Sequence, residues 1–304
     1  MGVIIHAQRF LTAAMCSRMA FPQYPYLNPF PMSFVVRTAR CIAFLATGWG
    51  LPITGIAQSA PVASAVVAPL SYPAAAGFDV AGSDARAVAV ADRVMRCMGG
   101  YAAWQNARYF AWSFFGDQYQ IWDKYTGDFH WEKGPMVANY NLNSKKGHAY
   151  RNGVDISATP DGQKLLGQMT SIWINNSYWL LMPFKMKDSG VTLKHKGMGQ
   201  TMDGAAADVL QMTFKNVGDT PQNRYEVLVN RASGLVEEWA YFEKSTDAQP
   251  GFRTRWNGYG RHGALLLAAG RGAETKPAHF DNVTQTQVVP QGVMGSSKPV
   301  VKLR

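Results

Sequence analysis

The sequence predicts an α+β fold of about ten short antiparallel strands and two helices, and three observations carry that expectation. Between residues 110 and 151 large apolar groups recur at every second position, punctuated by glycine-containing turns. Two stretches, 84–98 and 160–175, switch to helical spacing instead. Strands and helices do not alternate along the chain, which argues against a doubly wound parallel sheet.

The first helix is expected over 84–98. Ser83-Asp84 offers an N-cap with early negative charge, and Val88, Ala91, Val94, Met95 and Met98 form an apolar stripe. Gly99-Gly100 then stops it. From Phe110 the period is two, so Phe110, Trp112 and Phe114 share one strand face. Gly116-Asp117 turns the chain into a second strand containing Tyr119 to Trp122, and Tyr125-Thr126-Gly127 reads as a hairpin loop. Further strands are expected at 129–133, 136–143 and 147–151. Leu165, Leu166, Met169, Ile172 and Trp173 then follow helical spacing, with Pro160 suited to a first turn. Strands resume near 191–197, 207–215, 224–231, 235–243, 252–257 and 279–289, and Arg231-Ala232-Ser233-Gly234 repeats the turn chemistry.

The N-terminal part differs in kind. Arg37 and Arg40 precede a mostly apolar run from Cys41 to Ala57, and small residues with A-x-A character follow, which is the pattern of a secretory signal peptide starting at Met32. Residues 1–31 alternate proline with aromatics near their end and suit no export signal, so translation is expected to begin at Met32. Cys41 follows an arginine, so no lipobox is present. The expected organisation is a leader over 1–65, an Ala/Pro linker over 66–82, a folded domain over 83–289 and a flexible tail over 290–304. Export by this route into a bacterial envelope places the domain in the periplasm.

Composition narrows the partners. The first 60 residues contain four arginines and no acid, and without those arginines the formal charge falls from +10 to +6. The remaining excess is spread along the chain, with no basic stripe of the kind nucleic-acid binders carry. Peripheral contact with an anionic lipid surface fits such a charge better. Cys97 alone follows the leader, so the domain has no internal disulfide and a small buried thiol is the expected role. Nothing points to an oligomer, and a monomer is expected.

Motifs with catalytic meaning fail on context. Gly258-Tyr259-Gly260-Arg261-His262-Gly263 spells a dinucleotide fingerprint, but no long helix follows to hold a pyrophosphate, so a glycine-rich hairpin is expected. Residues 197–204 lack the Lys-Ser/Thr of a phosphate loop. The histidines His130, His148, His195, His262 and His279 form no metal-ligand spacing, so neither metal nor cofactor is expected. A hydrolase would need His130, Glu132 and His148 to converge in one pocket. An assembly protein acting through a sheet edge would need no cavity at all.

Aromatics and methionines are more telling. Most of them are expected in the core. A strand face and a helix face rich in both can also line a hollow for an acyl chain. Strand parity and helical spacing nominate Phe110, Trp112, Phe114, Trp122, Trp173, Trp179, Met182, Phe184, Met212, Phe214 and Trp239 as that lining. No catalytic residue is nominated.

Four segments carry a resemblance: Ile172 to Lys185 (IWINNSYWLLMPFK), Gly99 to Trp104 (GGYAAW), Trp122 to Gly127 (WDKYTG) and Val229 to Val236 (VNRASGLV). Together they resemble an uncharacterised bacterial envelope family similar to the LolA/LolB-like lipoprotein-carrier fold. The resemblance implies a strongly curved antiparallel half-barrel with helices on its concave side over an apolar cavity. It also implies a lipid or lipoprotein acyl chain as the ligand.

Overall fold

The computed structural model describes residues 72–273 and 275–304, so the leader over 1–65 and residues 66–71 of the linker lie outside the described residues. Helix α1 (Ala85–Cys97) forms where the apolar stripe predicts it, with Ala87, Val90, Ala91, Val94 and Met95 buried. Asp84 stands at its N-cap in extended geometry, yet its side chain caps nothing. Its carboxylate instead accepts from the backbone N–H of His195 at 2.9 Å and from Lys194 Nζ at 3.1 Å, and its own N–H donates to the Leu193 carbonyl. The expected cap is therefore a stitch between the helix and a distant strand. A short helix α2 (Tyr101–Asn106) follows the glycine stop.

The strands number fifteen among the described residues, not ten, and they form three antiparallel sheets. The first holds β1 (Tyr109–Phe114), β2 (Gln118–Asp123), β3 (Asp128–Lys133), β4 (Met136–Asn141), β5 (Lys146–Arg151) and β6 (Val154–Asp155) in sequence order, with β15 (Asp281–Thr286) added outside β1. The second runs β11 (Phe252–Arg255), β10 (Val236–Phe242), β9 (Arg224–Asn230), β8 (Ala206–Phe214), β7 (Val191–Gln200). The third is β12 (Asn257–His262), β13 (Leu265–Ala273) and β14 (Lys276–His279). The dinucleotide-like glycines lie in the β12–β13 hairpin, where Asn257 pairs with Gly270. Glycines there break the apolar alternation, which hid these strands from a period count.

Helix α3 (Pro160–Leu181) starts cleanly, with Pro160 in its first turn and Thr159 Oγ1 accepting from the Gly162 N–H at 3.2 Å. It runs six residues past the predicted end and continues into a 3₁₀ turn, Met182–Phe184. Asn175, Asn176 and Ser177 are weak helix formers. Burial of Asn176 and Ser177 carries the helix through them, a tertiary override of local propensity. Among the described residues no helix is long and apolar enough to cross a membrane.

Two segments depart from their composition. The described part of the linker is packed: Tyr72 and Phe78 are buried, and the Asp79 N–H bonds the Val191 carbonyl of β7. Residues 290–304, expected as a loose tail, strap the first sheet instead. Val293, Met294, Val300 and Leu303 pack against Tyr109, Ala111, Tyr119 and Ile121, on the opposite side of β1 from Phe110 and Trp112. Polar bonds fix the strap, with the Val300 N–H on Glu132 Oε1 at 2.6 Å, the Leu303 N–H on Tyr119 Oη at 2.9 Å and Asn139 Nδ2 on the Ser296 carbonyl at 2.9 Å. With partners on both sides, β1 is buried at every position.

Acid is expected to loosen the strap. Burial alone would raise the Glu132 pKa, but hydrogen bonds from His130, Lys302 and the Val300 N–H outweigh it and hold the carboxyl below its ordinary 4.5. A lowered folded pKa stabilises fully above the ordinary value and is lost as pH falls through the folded one. Hydrogen exchange at residues 296–304 should therefore accelerate below about pH 4.5, before exchange in α3 does. Glu132→Gln should accelerate it at neutral pH, and unchanged exchange in that variant would refute the latch.

Candidate functional site

Helix α3 touches all three sheets, and the site lies beneath it. Leu165 and Met169 of its first half join Phe129, Trp131, Ala138, Tyr140 and Ala149 of the first sheet in one buried cluster. Trp179 of its last turn meets the second sheet, edge to face with Trp239 at 4.7 Å and stacked on Phe252 at 5.8 Å. Its Trp179 carbonyl accepts from Arg271 of β13.

Strand alternation explains which side chains face the helix. In the first sheet the ladder places Phe110 opposite Trp122, Trp122 opposite Phe129 and Phe129 opposite Tyr140, so one row is aromatic across four strands. The next row runs Trp112, Gln120, Trp131, Ala138, Ala149. Aromatic stacking then extends from this wall to α2 and α3. Trp104 stacks on Phe184 at 4.6 Å and lies 5.5 Å from Phe110, while Trp122 meets Trp173 at 5.2 Å.

Eight of the eleven nominated lining residues fall into two aromatic groups. Phe110, Trp122, Trp173 and Phe184 join through Trp104. Trp179, Phe214 and Trp239 join Tyr178, Tyr225, Tyr241, Phe252 and Trp256. Phe114 reaches the second group through Phe280 and Phe115, whose ring meets Trp179 at 5.4 Å. Trp112 is fully buried opposite Gln120, Met212 sits opposite Leu193 and Tyr225, and Met182 is buried in the 3₁₀ turn.

These rings contact one another, so the nominated side chains form one another's packing surface. Two depressions lie elsewhere: a cleft of about 530 Å³ bordered by Ala103, Asn106, Gly263 and Gln285, and one of about 660 Å³ along Pro290, Val301 and Leu303. None of the eleven nominated residues lines either one.

The polar chemistry beneath α3 was missed at the sequence level. Asn176 Nδ2 reaches Gln118 Oε1 at 3.1 Å and Gln120 Oε1 at 3.0 Å, and Trp131 Nε1 donates to Gln118 Oε1 at 2.8 Å. Strand parity did put Gln118 and Gln120 on the face of Trp122, and helical spacing put Asn176 between Met169 and Leu180. Donors exceed acceptors here. The indole N–H groups of Trp112, Trp122, Trp173, Trp239 and Trp256, the Gln120 Nε2 and the Arg271 Nε are buried without a hydrogen-bond partner. Each such donor costs about 1–3 kcal/mol.

Arg271 is the sharpest case. It is buried, its guanidinium carbon lies 3.5 Å from the Trp256 ring centroid and 5.0 Å from that of Phe280, and it donates to the carbonyls of Ala268, Gly270 and Trp179. No carboxylate among the described residues pairs with it. Burial pushes its pKa down to about 9, against the opposing effect of Tyr259, so it is charged at neutral pH. Burial raises the pKa of Tyr178, Tyr225 and Tyr259, so those hydroxyls stay neutral and supply no counter-charge. The sequence Gly270-Arg271-Gly272 gave no signal of this.

The polar cluster a hydrolase would need does not converge. His130 and Glu132 do meet, at 2.9 Å, but both are sealed under the C-terminal strap. Both His130 ring nitrogens are engaged, Nε2 at 2.9 Å from Glu132 Oε1 and Nδ1 at 2.6 Å from Asn139 Oδ1. His148 bonds exposed Asp155 at 3.2 Å instead.

No family model matches the chain, and no curated protein matches it. Among solved structures it is similar to a DUF1329 family protein from Desulfovibrio piger, with a TM-score of 0.37 and 10% identity over 68% of this chain and 96% of that one. It is also similar to a LolA superfamily protein from Nitrosomonas europaea, with a TM-score of 0.33 and 8% identity over 68% and 96% of the two chains. At these values the likeness says nothing of ligand or activity.

Proposed function

We propose that this chain is a non-catalytic binding protein of the bacterial periplasm that holds a lipid or lipoprotein acyl chain between α3 and the sheets. The three sheets act as walls of one curved half-barrel, α3 lies along its concave side, and the arrangement described above is the closed state. One observation carries the reading: the buried donors beneath α3 that have no partner, gathered on an aromatic face and around a guanidinium that no carboxylate among the described residues pairs with. An apolar core has no use for such donors, and an amphiphile with carbonyl or phosphate oxygens at one end would satisfy them.

The magnitudes are compatible. About 15 buried CH₂ groups yield roughly 12 kcal/mol gross, and association costs remove several of those. Lifting α3 must come out of the remainder. Its C-terminal half is held by Asn176 and Arg271 and also by Trp173, Trp179, Leu180 and Leu181, so opening there exchanges apolar contacts with the sheets for contacts with the ligand. Strand addition at a sheet edge is the weaker reading, because β6 has only two residues and the start of β7 is bonded to Asp79 and Asp84.

Native mass spectrometry of protein purified from its host should show a bound lipid, and a fluorescent fatty acid should compete with it. Arg271→Met should weaken a fatty acid at least about tenfold while weakening an uncharged alkane probe little. If no lipid is carried and Trp112→Ala and Trp179→Ala change only stability, the reading fails.

A further inference from the structure

Away from α3, the rim formed by α1, the edge strand β7 and the turn after β9 gathers several cations. Arg86 and Arg93 of α1 both reach Asp208, at 3.2 and 3.4 Å, and His195 of β7 reaches it at 2.9 Å. The Gly197 N–H donates to His195 Nδ1, while His195 Nε2 lies between Arg86 Nε at 3.1 Å and Asp208 Oδ1 at 2.9 Å. Two guanidinium groups thus share one carboxylate; Arg231 stands beside them, its carbonyl accepting from Arg93, Lys194 of β7 pairs with Asp84, and Lys196 of β7 is exposed.

An apolar group projects from the middle of this charge. Between His195 and Met198 the β7–β8 register shifts, and Gly197 takes φ +102°, a conformation that L side chains rarely adopt. The bulge turns Met198 outward, where it is 68% exposed with the Arg231 guanidinium 3.0 Å from its sulfur.

We propose that this rim docks the protein onto an anionic lipid bilayer, with its guanidinium groups on lipid phosphates and Met198 reaching past them toward the acyl region. Arginine suits phosphate because its planar donors engage two oxygens at once. Exposed cations beside an exposed apolar side chain match a surface that presents phosphates above acyl chains, which favours a bilayer over a peptide. The proposal stands independently of acyl-chain binding under α3, because docking is read with vesicles and needs no occupant beneath the helix.

Co-sedimentation with phosphatidylglycerol/phosphatidylcholine vesicles tests it on the full chain. Binding is expected at low salt, with loss at about 0.5 M salt and none to pure phosphatidylcholine. The triple variant Arg86→Gln/Lys196→Gln/Arg231→Gln, at three exposed positions, should bind at least about tenfold more weakly. Met198→Asp should weaken binding severalfold on its own. Lys145→Gln/Lys146→Gln, two exposed lysines of the β4–β5 turn, should leave binding unchanged. Equal binding to neutral vesicles, no binding at low salt, or an equal loss in the β4–β5 control would overturn the assignment.

Discussion

Trp239→Ala is expected to lower the folding free energy by about 3–5 kcal/mol, among the largest effects of any single truncation in this domain. Trp239 is buried and its ring meets five others: Trp179 at 4.7 Å, Tyr225 at 5.0 Å, Phe252 at 5.5 Å, Trp256 at 6.2 Å and Tyr241 at 6.4 Å. Removing it forfeits the transfer free energy of the indole, leaves a void that rigid strands cannot close, and ends aromatic pairs worth about 0.5–1.5 kcal/mol each. Trp239→Phe should cost less, since its Nε1–H has no partner to lose. Urea unfolding should show a lower midpoint at unchanged slope. A loss below about 1 kcal/mol would mean that α3 is not seated on this ring in solution, contrary to the closed state.

The second large effect is expected at Lys187. Its ammonium is buried against Asp92 of α1 at 2.6 Å, bonds the Tyr72 carbonyl, and lies 3.9 Å from the centroid of the Tyr72 ring. Lys187→Met leaves the Asp92 carboxylate buried without its cation, a change that costs about 3–5 kcal/mol. The same substitution should free the segment at 72–78, whose backbone also bonds the Lys187 carbonyl through the Ala75 N–H. Adding Asp92→Asn should restore most of the loss, because the uncompensated charge is the costly element rather than the missing attraction. A double-mutant cycle reads this directly. Should the double variant be no more stable than Lys187→Met, the pair is not the reason the segment is held.

How much of the fold was legible depends on the range over which each residue acts. The β1 alternation and the α1 stripe are local patterns, and both appear where periodicity puts them. The strap was illegible for the opposite reason. Its apolar residues are scattered among Gly, Ser, Pro and Lys with no period, and the residues that anchor it lie far off, two of its bonds reaching 168 and 184 positions away. Nothing near Val300 or Leu303 in the sequence announces Glu132 or Tyr119. The same holds for Asp84, whose type suits a helix cap but whose carboxylate is taken by a strand 111 residues later.

The sequence by itself determined the α+β class, the side of each strand that turns inward and the aromatic character of that side, because periods of two and 3.6 follow from backbone geometry. Tertiary structure alone decided how the space beneath α3 is used. Whether facing rings meet or leave a gap depends on how far apart the sheets bring them, and Arg271, Asn176 and Gln120 acquire their meaning only from what surrounds them. Burial converts an ordinary arginine between two glycines into an unbalanced charge, and no pattern along the chain encodes that.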